Sequence, residues 1–246
     1  MHEINWTPDK VKRIWDYYGR HLPREQYFSY EAADGIIKFL RGRAILKRGM
    51  SVLDYGCGAG GLMEKLLKKF DGRVYGLDFS KNSVDFVNDR FRGKPGYGGA
   101  LYVENLPSGY DRESMDIVVC IEVIEHLEDV LLKATLDEIA RVLKPGGHLV
   151  ISTPNDENFA INNTICPECG CVFHRWQHVR KWTRESLAGC LREMSGMAVT
   201  SVEAITFNRL GWGVIVYLRD KLMEKMGMAP MPRMRSLVAV LRKKGV

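Results

Sequence analysis

The chain has 246 residues, 46% of them hydrophobic and 27% charged, enough for one sizeable core and usual for a single α/β domain. It contains no apolar run of membrane-spanning length, and it opens on a charged amphipathic segment, not a signal-peptide core, so a cytoplasmic protein is expected. The net charge of +6 is concentrated in "DKVKRIWDYYGRHLPR" and "RKKGV", read either as solvated helix faces or as a surface for an anionic partner such as RNA or a membrane surface.

In chain order, residues 1–47 read as a helical cap. Residues 48–155 alternate strand and helix. "MSVLDYG" is a buried strand and "GLMEKLLKKF" a helix. "RVYGLDFS" is a strand, and "KNSVDFVNDRF" a helix opened by Asn82 and Ser83. "ALYVENL" and "MDIVVCIE" are strands, "LLKATLDEIARVLK" a helix and "HLVISTP" a fifth strand. Such alternation implies a parallel sheet covered on both faces. The pattern stops over the Cys/His-rich residues 156–182, too long for a plain connection. Residues 183–246 resume with the helix "TRESLAGCLREM", the strand "AVTSVEAITF", the apolar helical stretch "LGWGVIVYLRDKLMEKM", and a last strand, "RSLVAVLRK".

"VLDYGCGAGG" places Gly56, Gly58 and Gly61 at G-x-G-x-x-G spacing, the loop by which a backbone approaches a nucleoside cofactor closely. Asp54 discriminates between cofactors. A carboxylate two residues ahead of the first glycine repels a pyrophosphate but favours the cationic sulfonium and ammonium of S-adenosylmethionine (SAM). Asp78, twenty residues after Gly58 at the end of the next strand, can accept hydrogen bonds from ribose hydroxyls.

"VLDYGCGAGG", "YGLDFS", "MDIVVCIEVIEHLED" and "RVLKPGGHLVISTPN" resemble, in order and spacing, the class I SAM-dependent methyltransferases. The resemblance implies a Rossmann-like, doubly wound seven-stranded sheet with its last strand antiparallel and SAM at the carboxyl ends of the first strands. It implies that Asp54, Gly56, Cys57 and Gly58 line the methionine end of SAM, and that Asp78 holds the ribose. Phe79 would pack on the adenine, Glu104 and Asn105 would flank its edge, and Cys120 and Ile121 would lie beneath the cofactor. The family often has an acidic residue two positions before Glu104, where this chain has Tyr102.

"CIEVIEHLED" sets Glu122, Glu125 and His126 at i, i+3 and i+4, one face of a helix. Two carboxylates and an imidazole suit a divalent cation; without one, His126 is the candidate general base. The segment resembles the E-x-x-E-H of ubiquinone-pathway O-methyltransferases. It also resembles the small-RNA 3′-terminal 2′-O-methyltransferases, which add a downstream histidine before W-T-R, here His178 in "QHVRKWTR".

"CPECGCVFHRWQH" offers Cys166, Cys169, His174 and His178 as the ligands of a knuckle-like structural zinc site. Cys171 completes that shell if His178 belongs to the other cluster. The expected activity is O-methylation of a small or lipid-linked metabolite. The alternative is 2′-O-methylation of an RNA end, favoured by Arg175, Arg180, Lys181 and Arg184. A non-catalytic SAM-binding protein is a third reading. The aromatic residues Trp6, Trp15, Tyr17, Tyr18, Tyr27, Phe28 and Tyr30 read as a lid or as sheet-edge packing, and the apolar stretch after residue 209 as buried or as a homodimer contact.

Overall fold

A computed structural model gives the fold. The structure describes residues 2–23, 26–207, 222, 225–226 and 236–245. The expected apolar helix between residues 210 and 226 lies, but for Leu222, Lys225 and Met226, outside the described residues.

A two-residue strand β1 (His2–Glu3) leads into α1 (Pro8–His21), which starts on Thr7: the threonine side chain accepts from the amide of Lys10, and Pro8 occupies the first turn. Next comes α2 (Phe28–Gly42), whose Ala32, Ala33, Ile36, Ile37 and Leu40 form one buried stripe. Of the expected cap, α2 is therefore part of the core layer, while α1 has no buried residue and lies on the outside.

The core continues through β2 (Ser51–Tyr55), α3 (Gly61–Lys69), β3 (Arg73–Asp78), α4 (Lys81–Phe91), β4 (Tyr97–Tyr102) and β5 (Met115–Ile121). It is completed by α5 (Asp129–Val142) and β6 (Leu143–Pro154). The fourth helix is capped by the Ser80 side chain, which accepts from the amide of Ser83, so the cap lies two residues before Asn82.

Between residues 155 and 182 the chain forms α6 (Phe159–Asn162), β7 (Asn163–Ile165) and β8 (Cys171–His174). These strands pair as a hairpin, and β1 joins β8 in parallel, giving a three-stranded sheet in the order β1-β8-β7. Strands of two to four residues are too short to show an alternating pattern, and one comes from the other end of the sequence. The chain ends with α7 (Arg184–Arg192), β9 (Met197–Ile205) and β10 (Ser236–Lys243).

The main sheet has seven strands in the order β4-β3-β2-β5-β6-β10-β9, with β10 antiparallel to both neighbours. Its central strands are buried on both faces. Val52, Ile117 and Val119 face α2, α3 and α4, while Leu53, Val118 and Cys120 face α5 and α7. The sheet order reverses between β2 and β5, and the carboxyl ends of these strands carry the polar residues considered next.

Candidate active site

The glycine loop turns sharply out of β2. Gly56 has φ +79°, and a Cβ there would lie 2.5 Å from Val123 Cγ2, so the loop touches the segment that follows β5. A Cβ on Gly61 would lie 2.8 Å from the Tyr30 backbone, where α2 crosses the start of α3. Asp78 joins loop and strand end: Oδ2 accepts from the amide of Gly58 and Oδ1 from that of Ser80, both at 2.8 Å. Each oxygen keeps a further lone pair.

Asp54 is buried, with no hydrogen-bond partner for Oδ2 among the described residues. Burial, and then the charge of Asp78, push its pKa up to about 7. The expected fixed charge at this position is therefore conditional: it develops fully when a cation neutralises it. Cys57 is buried with its sulfur toward Gly76, and Cys120 and Ile121 are buried at the end of β5. Phe79 is exposed with its ring edge-on to Trp15, and Glu104 and Asn105 lie in an exposed turn after β4. Tyr27 packs within 4 Å of the position a Gly58 Cβ would take.

Glu122, Glu125 and His126 do not share an α-helical face. Glu122 takes φ +52°, and its amide bonds the Ser152 carbonyl, extending the pairing of β5 with β6. A single 3₁₀ turn, Ile124–His126, follows, and α5 starts only at Asp129. The carboxylate of Glu122 accepts from Ser152 Oγ at 2.8 Å, and Glu125 Oε2 accepts from Thr153 Oγ1 at 3.0 Å. Glu125 Oε1 is buried without a hydrogen-bond partner among the described residues, 3.9 Å from His126 Nε2.

The insertion completes the cluster. Donor atoms of Glu125, His126 and His178 lie within 4.8 Å of one another, and so do those of Glu157, His174 and His178. His178 Nδ1 hydrogen-bonds Glu157 Oε2. His174 Nδ1 accepts from the amide of His178 at 3.2 Å, which leaves the proton on Nε2, 3.2 Å from Glu157 Oε1 though poorly aligned with it. Burial works against the charge of Glu157, but the two histidines outweigh it and hold the carboxyl well below the usual range. Trp15 covers the cluster from α1. Its ring is edge-on to His126 at 4.9 Å, and its Nε1 donates to Gln177 Oε1 at 2.9 Å.

Burial, opposed in part by the hydroxyls of Ser152 and Ser236, raises the Glu122 pKa to about 7. Burial and then the neighbouring Glu122 raise that of Glu125. Burial, then His178, lowers that of His126 to about 3. Glu125 thus presents an oxygen without a hydrogen-bond partner among the described residues, beside an imidazole that burial keeps uncharged. That oxygen and nitrogen donor set fits a divalent cation.

The zinc set expected from spacing, Cys166, Cys169, His174 and His178, is not brought together. Cys166, Cys169 and Cys171 converge at the tip of the β7–β8 hairpin. His174 stands three residues along β8 from Cys171, roughly 10 Å away and on the opposite face, because strand side chains alternate. Glu157 and Gln177 were not singled out by sequence reasoning. For Glu157 the signal was its place in "STPNDENF", directly after β6.

Residues 22–202 match the methyltransferase-domain family. The chain belongs to the class I SAM-dependent methyltransferases. This methyltransferase is 30% identical over 163 residues to the ubiquinone biosynthesis O-methyltransferase of Proteus mirabilis, covering 63% of this chain and 60% of the relative. An Aliivibrio fischeri protein of the same name is 30% identical over 162 residues, covering 62% of each chain. The matched region thus spans about three fifths of these curated relatives. Among solved structures, the [4+2]-cyclase SpnF matches the whole of both chains with TM-score 0.67 at 19% identity. A SAM-dependent methyltransferase from Aquifex aeolicus matches 97% of this chain and 100% of its own with TM-score 0.59 at 18% identity. These likenesses show the fold alone, and one of the two neighbours is a cyclase, so the acceptor must be argued from the site.

Proposed function

We propose that this methyltransferase transfers a methyl group from SAM to a hydroxyl oxygen of a small or lipid-linked acceptor, at a site where Glu125, His126 and His178 hold a divalent cation. The observation that carries the reading is the buried Glu125 Oε1, without a hydrogen-bond partner among the described residues, set beside two imidazoles and joined through Val123 to the glycine loop. The name shared by the curated relatives supports oxygen as the acceptor atom.

SAM supplies an electrophilic methyl carbon, and a divalent cation lowers the pKa of a hydroxyl that it binds. The chain's residues do the rest. Asp54, Gly56 and Gly58 would cradle the methionine end and Asp78 the ribose, leaving Phe79, Glu104 and Asn105 around the adenine. The acceptor oxygen attacks the methyl carbon in line, the carbon–sulfur bond breaks with its electron pair returning to sulfur, and the hydroxyl proton passes to solvent water. His126 is a poor resting base, because burial keeps it neutral to low pH; its Nδ1 faces the Gln177 carbonyl 3.4 Å away, which leaves the Nε2 lone pair for a ligand role. Most of the acceleration then comes from holding two reactants in line beneath Trp15.

An RNA-end acceptor is the second reading, favoured by the position of His178 in the cluster. Against it, Arg180 pairs with Asp129 and Lys181 with Asp156, which reduces the basic surface available to phosphates. The deciding experiment incubates the protein with labelled SAM and fractionated cell extract, with and without a chelator. Label in a hydroxylated metabolite or lipid that disappears on chelation is expected. Label in RNA, with binding that weakens steeply with salt, supports the second reading. Label transfer insensitive to chelation refutes the cation.

A further inference from the structure

The three thiols at the hairpin tip take no part in the chemistry above. Their geometry is nevertheless specific. Gly170 takes φ +72°, its amide donates to the Cys166 carbonyl, and the Cys166 amide donates to the Cys171 carbonyl, both at 2.9 Å. This knot turns Cys166, Cys169 and Cys171 toward one point, with their sulfurs within 4.8 Å of one another and none in a disulfide.

Three convergent thiolates fill three corners of a tetrahedron, and a structural zinc requires a fourth. Along β8 itself, His174 is excluded by alternation and is already engaged with Glu157. The neighbouring strand offers a different imidazole. In β1, His2 is the register partner of Cys171, and Ile4 continues the pairing by donating its amide to the Val172 carbonyl at 3.0 Å. Partners in adjacent parallel strands point to the same face and stand one strand spacing apart, about 4.8 Å. His2 is exposed, so its side chain can swing toward the thiols without disturbing the core.

We propose that Cys166, Cys169, Cys171 and His2 form a four-ligand zinc site that fastens the first strand to the insertion. Binding forms three zinc–sulfur bonds and one zinc–nitrogen bond and releases the thiol protons. The shell is closed, which makes the site structural. What it holds in place is the cover of the active site. β1 runs through Thr7 into α1, where Trp15 lies over His126 and Tyr18 donates its hydroxyl to the Arg175 carbonyl. The proposal does not depend on the identity of the methyl acceptor.

The test uses the tag-free full chain. Elemental analysis should find zinc, and apoprotein titrated with cobalt(II) should show tetrahedral ligand-field bands with a thiolate-to-cobalt charge-transfer band of three-sulfur intensity. A cation bound by the Glu/His cluster has no thiolate and adds nothing to that band, so failure at one site is distinguishable from failure at the other. Cys169→Ser should reduce the band. His2→Ala should retain it but weaken cobalt affinity by at least about 10-fold, the cost of removing even an outer-shell partner, and should shift the ligand-field envelope. His174→Ala should leave the band unchanged. Far-UV circular dichroism checks that each variant is folded. The absence of a thiolate band, unchanged affinity and spectrum in His2→Ala, or loss of the band in folded His174→Ala would each overturn the assignment.

Discussion

Nδ1 of His178 is hydrogen-bonded to Oε2 of Glu157, twenty-one residues earlier in the chain, while a ring nitrogen of the same histidine lies within 4.8 Å of donor atoms of Glu125 and His126. A carboxylate behind a ligating histidine fixes its tautomer and its orientation. Glu157→Gln removes the charge but retains a carbonyl acceptor. It should weaken divalent-cation affinity by about 10- to 100-fold and lower methyl transfer accordingly, with SAM affinity unchanged. Metal titrations alongside SAM calorimetry check this; parallel losses in both would remove the positioning role.

Asp78 accepts amide hydrogen bonds from both the glycine loop and the turn that starts α4. Asp78→Ala should therefore weaken SAM binding by about 1–3 kcal/mol, the cost of leaving polar partners unsatisfied. Unchanged affinity by calorimetry would contradict the ribose assignment.

SAM binding should depend on pH through Asp54. Its folded pKa is raised to about 7, so below that pH the carboxyl holds a proton that the cationic ligand must displace, and above it the anion is already present. Affinity should rise between pH 6 and 8 and then level off, by up to about 10-fold per pH unit. S-adenosylhomocysteine, which lacks the sulfonium charge, should show a shallower rise, and Asp54→Asn should flatten the profile. A steep pH dependence that survives in Asp54→Asn would assign the proton elsewhere.

Gly56→Ala should destabilise the fold by about 1–3 kcal/mol, since it places a side chain at positive φ against Val123. In a Val123→Ala background the contact is gone and only the backbone cost remains, so the two substitutions should be non-additive in denaturant unfolding. Strict additivity would mean that the loop does not touch this segment.

The sheet was legible because its signals are local. Buried runs such as "VLDYG" and "MDIVVCI" report strands covered on both faces, and the glycine spacing marks the turn at the carboxyl end of β2, where Asp78 bonds the Gly58 amide. Cys166, Cys169 and Cys171 converge for the same reason, being neighbours in the chain. His174 and His178 are near them in sequence but do not join them: β8 turns His174 to the other face, and both imidazoles meet Glu157.

By itself, then, the sequence determined the class of fold, the cofactor and the kinds of donor atoms available, because each follows from residues within a few positions of one another. Which donors meet was decided by tertiary structure alone. Trp15 reaches Gln177 across 162 residues, and His2 becomes the strand partner of Cys171. The Glu122–His126 turn is set by pairing with β6, not by helical periodicity. Such meetings depend on where packed elements cross, and burial there tunes the charges of Asp54, Glu122 and His126, which no local spacing encodes.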